Sequence, residues 1–184
     1  MFYCSQTSGS PYIKANPVLQ QQSNPAQTVT IFTDGACSFN PGPGGWAARL
    51  LYGDGRIVEL GGFVPETTNN RMELQAAIEG LRTVPSDIAI TLVTDSEYLR
   101  KGITEWIHGW KRRGWRTAAK KPVLNQDLWR TLDQLNTPAV QWQYTPGHAG
   151  DPDNERCDQI AKAFSRGETP SLHRDCPNHQ SRKD

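Results

Sequence analysis

The chain has 184 residues, the length of one domain with some tail to spare. Hydrophobic residues are 36% of it, mean hydropathy is −0.65, and no stretch approaches the roughly 18 apolar residues of a membrane span. The N-terminus, MFYCSQTSGSPYIK, has no charged stretch leading into an apolar run, so neither a membrane nor a secreted protein is expected, and the net charge of +1 by itself points to no partner.

Residues 1–27 are rich in Gln, Asn, Ser and Pro without sustained periodicity and read as a disordered tail; 166–184, with Pro170 and Pro177, read as a second, flexible one. The folded domain is therefore expected at 28–165. Its first strand is Thr28–Thr33 (TVTIFT), ending at Asp34-Gly35. Strands at Trp46–Leu51 and Arg56–Phe63 flank Tyr52-Gly53-Asp54-Gly55, where Asp-Gly is a hairpin signal. Asn70–Arg82 reads as a helix with Leu74, Ala77, Ile78 and Leu81 on one face. Ile88–Thr94 is nearly all apolar or β-branched, as in a central strand covered on both sides. Helices are expected at Ser96–Gly102, Thr104–Arg113 and Gln126–Leu135, and a fifth strand at Val140–Thr145. After a Gly-His loop, Cys157, Ile160, Ala161 and Phe164 mark a last helix. Three meandering strands followed by alternating helices and strands predict an α/β domain with a five-stranded mixed sheet flanked by helices, antiparallel first and parallel after.

Two strands end alike, ThrAspGly at 33–35 and ThrAspSer at 94–96. Central and parallel, they would bring Asp34 and Asp95 together where open α/β sheets bind ligands. The plainer alternatives are a turn at Asp34-Gly35 and a helix N-cap at Asp95-Ser96. Adjacent carboxylates repel, and a multivalent cation is the usual reason to keep them so. Glu73, three residues after Asn70, has the spacing of a capping box. Asp158 lies beside the stripe of the last helix, either edging the core or as a surface acid. Together the four acids offer all-oxygen coordination to hard divalent ions. His148, in Pro-Gly-His-Ala-Gly, can shuttle protons near neutral pH or simply be solvated.

Between Lys101 and Lys121 seven basic residues face one acid, Glu105, a net +6 that leaves −5 elsewhere. Trp106, Trp110 and Trp115 interleave with these cations. Such a patch is a footprint for a polyanion, and nucleic acid is favoured, although Trp106 and Trp110 at i, i+4 also suit a core. Cys4, Cys37, Cys157 and Cys176 form no CxxC pair and read as reduced thiols of a cytoplasmic protein.

Five segments in order, TDGACSFNPGPGGW, TTNNRMELQAAIEGL, TDSEYLRKGI, WIHGWKRRGW…KKPVLNQDLW and PGHAGDPDNERCDQIA, strongly resemble type 1 ribonuclease H of the bacterial kind, over nearly all of 28–165. The resemblance implies the ribonuclease H-like fold and hydrolysis of the RNA strand of RNA–DNA hybrids to 3′-hydroxyl and 5′-phosphate ends. It matches Asp34, Glu73, Asp95 and Asp158 to the family's catalytic, metal-binding carboxylates and His148 to its loop histidine. Cys37, Asn40, Asn69 and Asn70 match positions lining the RNA strand. Thr68, Arg71, Trp106, Trp110, Lys111, Arg112, Arg113, Trp115, Lys120 and Lys121 match the DNA-strand and phosphate contacts, most of them in the basic protrusion 101–121. Glu97 stands where the family often has an amide, and the tails have no counterpart in the minimal domain.

Two Mg²⁺ ions about 4 Å apart, with Mn²⁺ as a substitute, would serve in-line displacement. Selection of RNA needs contact with the 2′-hydroxyl. The expected partner is the hybrid duplex and the expected state a monomer without membrane association. Two rivals are a DNA strand-transfer or junction nuclease of the same fold and a non-catalytic hybrid-binding module. The first has no need of the Asn-rich positions, and the second could dispense with an acid.

Overall fold

The computed structural model describes residues 28–147 and 150–175. Strands β1 (Thr28–Cys37), β2 (Gly42–Tyr52) and β3 (Ile57–Thr67) form a meander; α1 (Asn69–Thr83), β4 (Ala89–Thr94), α2 (Glu97–Lys101), α3 (Ile107–Arg112), α4 (Gln126–Leu135), β5 (Val140–Tyr144) and α5 (Pro152–Ser165) follow. The sheet order is β3-β2-β1-β4-β5. β1 is antiparallel to β2 and parallel to β4, and β5 is parallel to β4, the mixed sheet expected from the sequence.

Both faces of the sheet are covered. Val29, Ile31, Leu50 and Leu92 pack with Leu74 and Ile78 of α1, Leu99, Ile103 and Ile107, and the fully buried Trp129 and Leu132 of α4. On the other side Phe32, Ala47 and Val93 pack under Cys157, Ile160 and Ala161 of α5. Strand β4 feeds both layers, Leu92 to one and Val93 to the other, which accounts for its uninterrupted apolar run.

Several details differ from the sequence reading. The two expected helices 96–102 and 104–113 are one continuous path, because a π-helical turn at Gly102–Trp106 joins α2 to α3. Gly102 stays right-handed (φ −57, ψ −52) and does not break the helix. Its missing side chain admits the Trp129 ring, since a Cβ there would lie 2.0 Å from it. At α1 the N-cap is Thr68 rather than Asn70, so Glu73 stands beyond capping-box range.

The segment after Arg166, read as a flexible tail, is held as far as Asp175. His173 N–H donates to Glu59 Oε2 (2.8 Å), Glu59 N–H to the His173 carbonyl (2.7 Å), and Ile57 N–H to Asp175 Oδ2 (2.8 Å). This short stretch covers the outer edge of β3, with Arg174 bridging antiparallel to Val58. Residues 1–27 and 176–184 lie outside the described residues.

Candidate active site

Parallel pairing of β1 with β4 runs to Thr33↔Thr94, so the next residues, Asp34 and Asp95, emerge side by side. Asp34 is not at the end of its strand, as the sequence reading had it. β1 continues to Cys37 against β2, with Asp34 opposite Ala47. The N-cap alternative for Asp95 is resolved by its neighbour. Ser96 Oγ accepts from Leu99 N–H (3.2 Å) and caps α2, leaving the Asp95 carboxylate free of that duty.

Gly35 brings the third acid in. A Cβ at Gly35 would lie 2.3 Å from the Glu73 nitrogen and 2.5 Å from the Met72 carbonyl carbon, so only glycine lets α1 approach β1 this closely. Each of Asp34, Glu73 and Asp95 then offers an oxygen within 4.8 Å of the others. Asp34 and Glu73 are 6% and 5% exposed; Asp95 is half-buried.

Burial raises the Asp34 carboxyl, and the charges of Asp95 and Asp158 raise it further, to about 7. Glu73 is pushed well above the usual carboxylate range by burial first and by Asp34 and Asp95 second. Glu73 Oε2 is buried without a hydrogen-bond partner. A buried acceptor left unanswered costs about 1–3 kcal/mol. Three converging carboxylates with an unanswered oxygen fit hard divalent cations, whose ligands are oxygens.

The triad opens on a cleft of about 680 Å³, lined also by Cys37, Ser38, Asn69, Asp158 and Lys162. Asp158 therefore lines the same cleft but stands outside the three-acid cluster, its carboxylate 2.8 Å from Lys162 Nζ. Of the four expected acids, three converge and the fourth lines the same cleft outside their cluster.

The other expected site residues divide. Cys37 and Asn69 line the cleft, and Asn40 Oδ1 accepts from Asn69 N–H (3.3 Å), bracing the β1–β2 loop against the start of α1. Asn70 is exposed on α1 and absent from the cleft lining. His148 lies outside the described residues. In the basic segment Trp106 meets Trp110 at a tilt (5.9 Å between ring centroids) and Trp110 meets Trp129 edge-on (5.4 Å); Trp110 packs against the core, while Trp106 is 38% exposed. Trp115 carries the Arg130 guanidinium over its ring at 4.9 Å. Arg112, Arg113, Lys120 and Lys121 are exposed. Glu97 is spent on Lys101, one helical turn away.

Sequence reasoning missed Asn154. It is 3% exposed on α5, its Nδ2 donates to Asp95 Oδ2 (3.4 Å), and its own Oδ1 is unpartnered. Its only signal was a place four residues before Asp158 on the same helix.

This fold and its acid cluster define an α/β enzyme of the ribonuclease H-like class. The chain belongs to the RNase H family, whose family model matches residues 26–166. Ribonuclease H of Thermosynechococcus vestitus is 63% identical over 145 residues, 77% of this chain and 91% of the relative. That of a Cyanothece species is 58% identical over 149 residues, covering 80% and 95%. The solved structure of LC9-RNase H1, a type 1 RNase H with the type 2 active-site motif, superposes with TM-score 0.71 at 32% identity, over 83% of this chain and 79% of its own. No helix among the described residues is long and apolar enough to cross a membrane.

Proposed function

We propose that this chain is a ribonuclease H that cuts the RNA strand of RNA–DNA hybrids, leaving 3′-hydroxyl and 5′-phosphate ends, as a cytoplasmic monomer. The observation that carries this is the converging triad of buried Asp34 and Glu73 and half-buried Asp95, with one oxygen unanswered, in a chain of this family. Asp34, Glu73 and Asp95, with Asp158 of the same cleft, would hold two Mg²⁺ ions. When bound, such ions supply a water acidic enough to attack at neutral pH and offset charge on the departing oxygen.

The protein's own groups do the rest. Asn154 Nδ2, donating to Asp95, fixes that carboxylate's orientation. The loop from Cys37 to Gly42 is braced by Asn40 and Asn69, which suits it to contact the 2′-hydroxyls that distinguish RNA. Cys37, Asn40, Asn69 and Asn70 are assigned to the RNA strand on this reading. Thr68, Arg71 and the protrusion (Trp106, Trp110, Lys111, Arg112, Arg113, Trp115, Lys120, Lys121) are assigned to the DNA strand and its phosphates. The imidazole of His148 would carry a proton to or from the reacting oxygens.

Incubating the protein with labelled hybrid, duplex DNA and duplex RNA in Mg²⁺ tests the reading. Only the RNA of the hybrid should be cut, with 3′-hydroxyl ends. Cleavage of duplex DNA would favour the strand-transfer or junction nuclease instead, and binding without cleavage the non-catalytic module.

A further inference from the structure

Two of the cations assigned to the DNA strand already hold a partner. Arg71 of α1 is gripped by both oxygens of Asp127, Nη1 to Oδ1 at 3.0 Å and Nη2 to Oδ2 at 2.7 Å. Lys111 Nζ of α3 lies 2.8 Å from Asp133 Oδ2 and 2.9 Å from Oδ1. Both acids stand on α4, which packs against α1 and against the π-helical turn leading into α3. Arg112, Arg113, Lys120 and Lys121 differ: among the described residues no carboxylate lies within 4.0 Å of them.

A carboxylate set against a guanidinium or ammonium offers the paired oxygens that a phosphate offers. We propose that Asp127 and Asp133 are built-in stand-ins for backbone phosphates, holding Arg71 and Lys111 in the free protein and surrendering them to the duplex on binding. This rests on the nucleic-acid reading above. Each pair reaches solvent through one member, Asp127 at 60% and Lys111 at 51% accessible, while Arg71 and Asp133 are half-buried at 35% and 23%. Pairs of that kind contribute little net stability, so exchange for a phosphate is easy. A neutral pair also adds little to long-range attraction, which leaves steering to the unpaired cations of the segment, Arg116 among them. Arg71 and Lys111 then respond to contact rather than to approach, and the two aspartates set how tightly the duplex is held.

A double-mutant cycle on the Lys111–Asp133 pair tests this, read as binding of a fluorescent RNA–DNA hybrid by anisotropy in EDTA over a salt series. Asp133→Asn should tighten binding about threefold at low salt, the scale of one weak surface pair. Its log–log salt slope should steepen by up to about 0.9. In a Lys111→Gln background the same substitution should change neither, because the stand-in then has nothing to hold. Asp133→Glu, which keeps the charge, should bind as the unaltered protein does. Weaker binding by Asp133→Asn would overturn the proposal, since the carboxylate would then be orienting the lysine for its phosphate. An equal gain in the Lys111→Gln background would also overturn it, in favour of a general field effect. The Arg71–Asp127 pair gives a second, independent cycle, and melting temperatures identify any variant that fails to fold. Failure of the proposed activity shows separately, as unaltered protein that binds hybrid and does not cut it.

Discussion

Two groups of buried carboxylates lie on this sheet, and they are treated in opposite ways. Glu59, on β3, is 1% exposed, yet both of its oxygens are answered. Arg49 Nη1 pairs with Oε1, Arg156 donates through Nε and Nη2 at 2.9 Å each, and His173 N–H donates at 2.8 Å. Burial alone would raise its carboxyl, but the Arg156 hydrogen bonds, the His173 N–H and Arg49 outweigh it and hold the group down at about 2. Asp34 and Glu73 are as deeply buried, face other acids, and are pushed upward. The fold can evidently neutralise an interior acid, since it does so at Glu59. Around Asp34 and Glu73 it leaves the charge open. A buried carboxylate with its counter-charge in the chain is structural; one without it is waiting for a cation from outside.

Removing a carboxylate from the open group should give the largest effect on activity. Asp34→Asn is expected to lower hybrid hydrolysis in Mg²⁺ by more than about 100-fold, beyond the loss usual for groups that merely orient metal ligands. Near-normal turnover would show that the triad does not hold the catalytic ions. Circular dichroism should show the variant folded, because the substitution relieves repulsion.

The satisfied group should behave in reverse. Glu59→Ala removes the acceptor shared by Arg49 and Arg156, whose side chains are 17% and 35% exposed, and leaves Arg49 with Asp153 and Arg156 with the Ser171 carbonyl. Unfolding in urea should show a loss of about 3 kcal/mol, the lower end for a broken buried pair because these guanidiniums still reach water. The hydrolytic rate per folded molecule should change little. A variant as stable as the original would mean that the Arg–Glu–Arg arrangement and the edge segment it anchors contribute nothing.

The pH dependence of stability should separate the two groups in one experiment. Glu59 is lowered from 4.5 to about 2, so its contribution is present above the unfolded value and is lost as pH falls from about 4.5 through 2. Asp34 is raised from 3.8 to about 7, so its neutral form favours the fold at low pH. That contribution is lost as pH rises from about 4 through 7. Melting temperature in EDTA should therefore decline on both sides of roughly pH 4–5. Asp34→Asn should flatten the upper limb alone, and Glu59→Ala the lower one alone.

A change outside both groups gives the smallest effect and serves as a baseline. Neutralising Lys111, Arg112 and Arg113 together should raise KM and flatten its salt dependence, by about 0.9 in log–log slope for each lost phosphate contact. Because Lys111 is already paired to Asp133, most of the change should come from the two arginines. Saturated kcat should hold, and a fall in kcat with an unchanged salt slope would make the protrusion a structural strut.

The open group was legible in the sequence because it repeats. ThrAsp follows two apolar runs, and parallel strands paired as far as Thr33 and Thr94 carry that repetition into space as adjacent carboxylates, although β1 itself continues past Asp34. Glu73 was ambiguous, since three residues after Asn70 suits a cap as well as a site, and only the N-cap of α1 at Thr68 separates the two. The satisfied group was invisible. Arg49, Glu59 and Arg156 come from two strands and a helix with no local spacing to connect them, and the covering segment at 171–175 lacks any period. Asn154 was missed for a similar reason, because an amide on a charged helix carries no sign of its target. Local patterns reveal residues that share an element or a repeated strand end, while pairings made by tertiary contact need the fold.

The central claim, that the open carboxylates are held for divalent cations, is tested most directly by thermal unfolding of the unaltered protein and of Glu73→Gln at pH 7. Each would be measured in EDTA and in saturating Mg²⁺. In EDTA the variant should be at least as stable, because a buried, repelled carboxyl with one oxygen unpartnered has been replaced by a neutral group. Mg²⁺ should raise the melting temperature of the unaltered protein, since a ligand of the folded state stabilises it by mass action, and that gain should largely disappear in the variant. A variant less stable in EDTA that keeps the full Mg²⁺ gain would contradict the account, because Glu73 would then be a structural acid with no share in holding the ion.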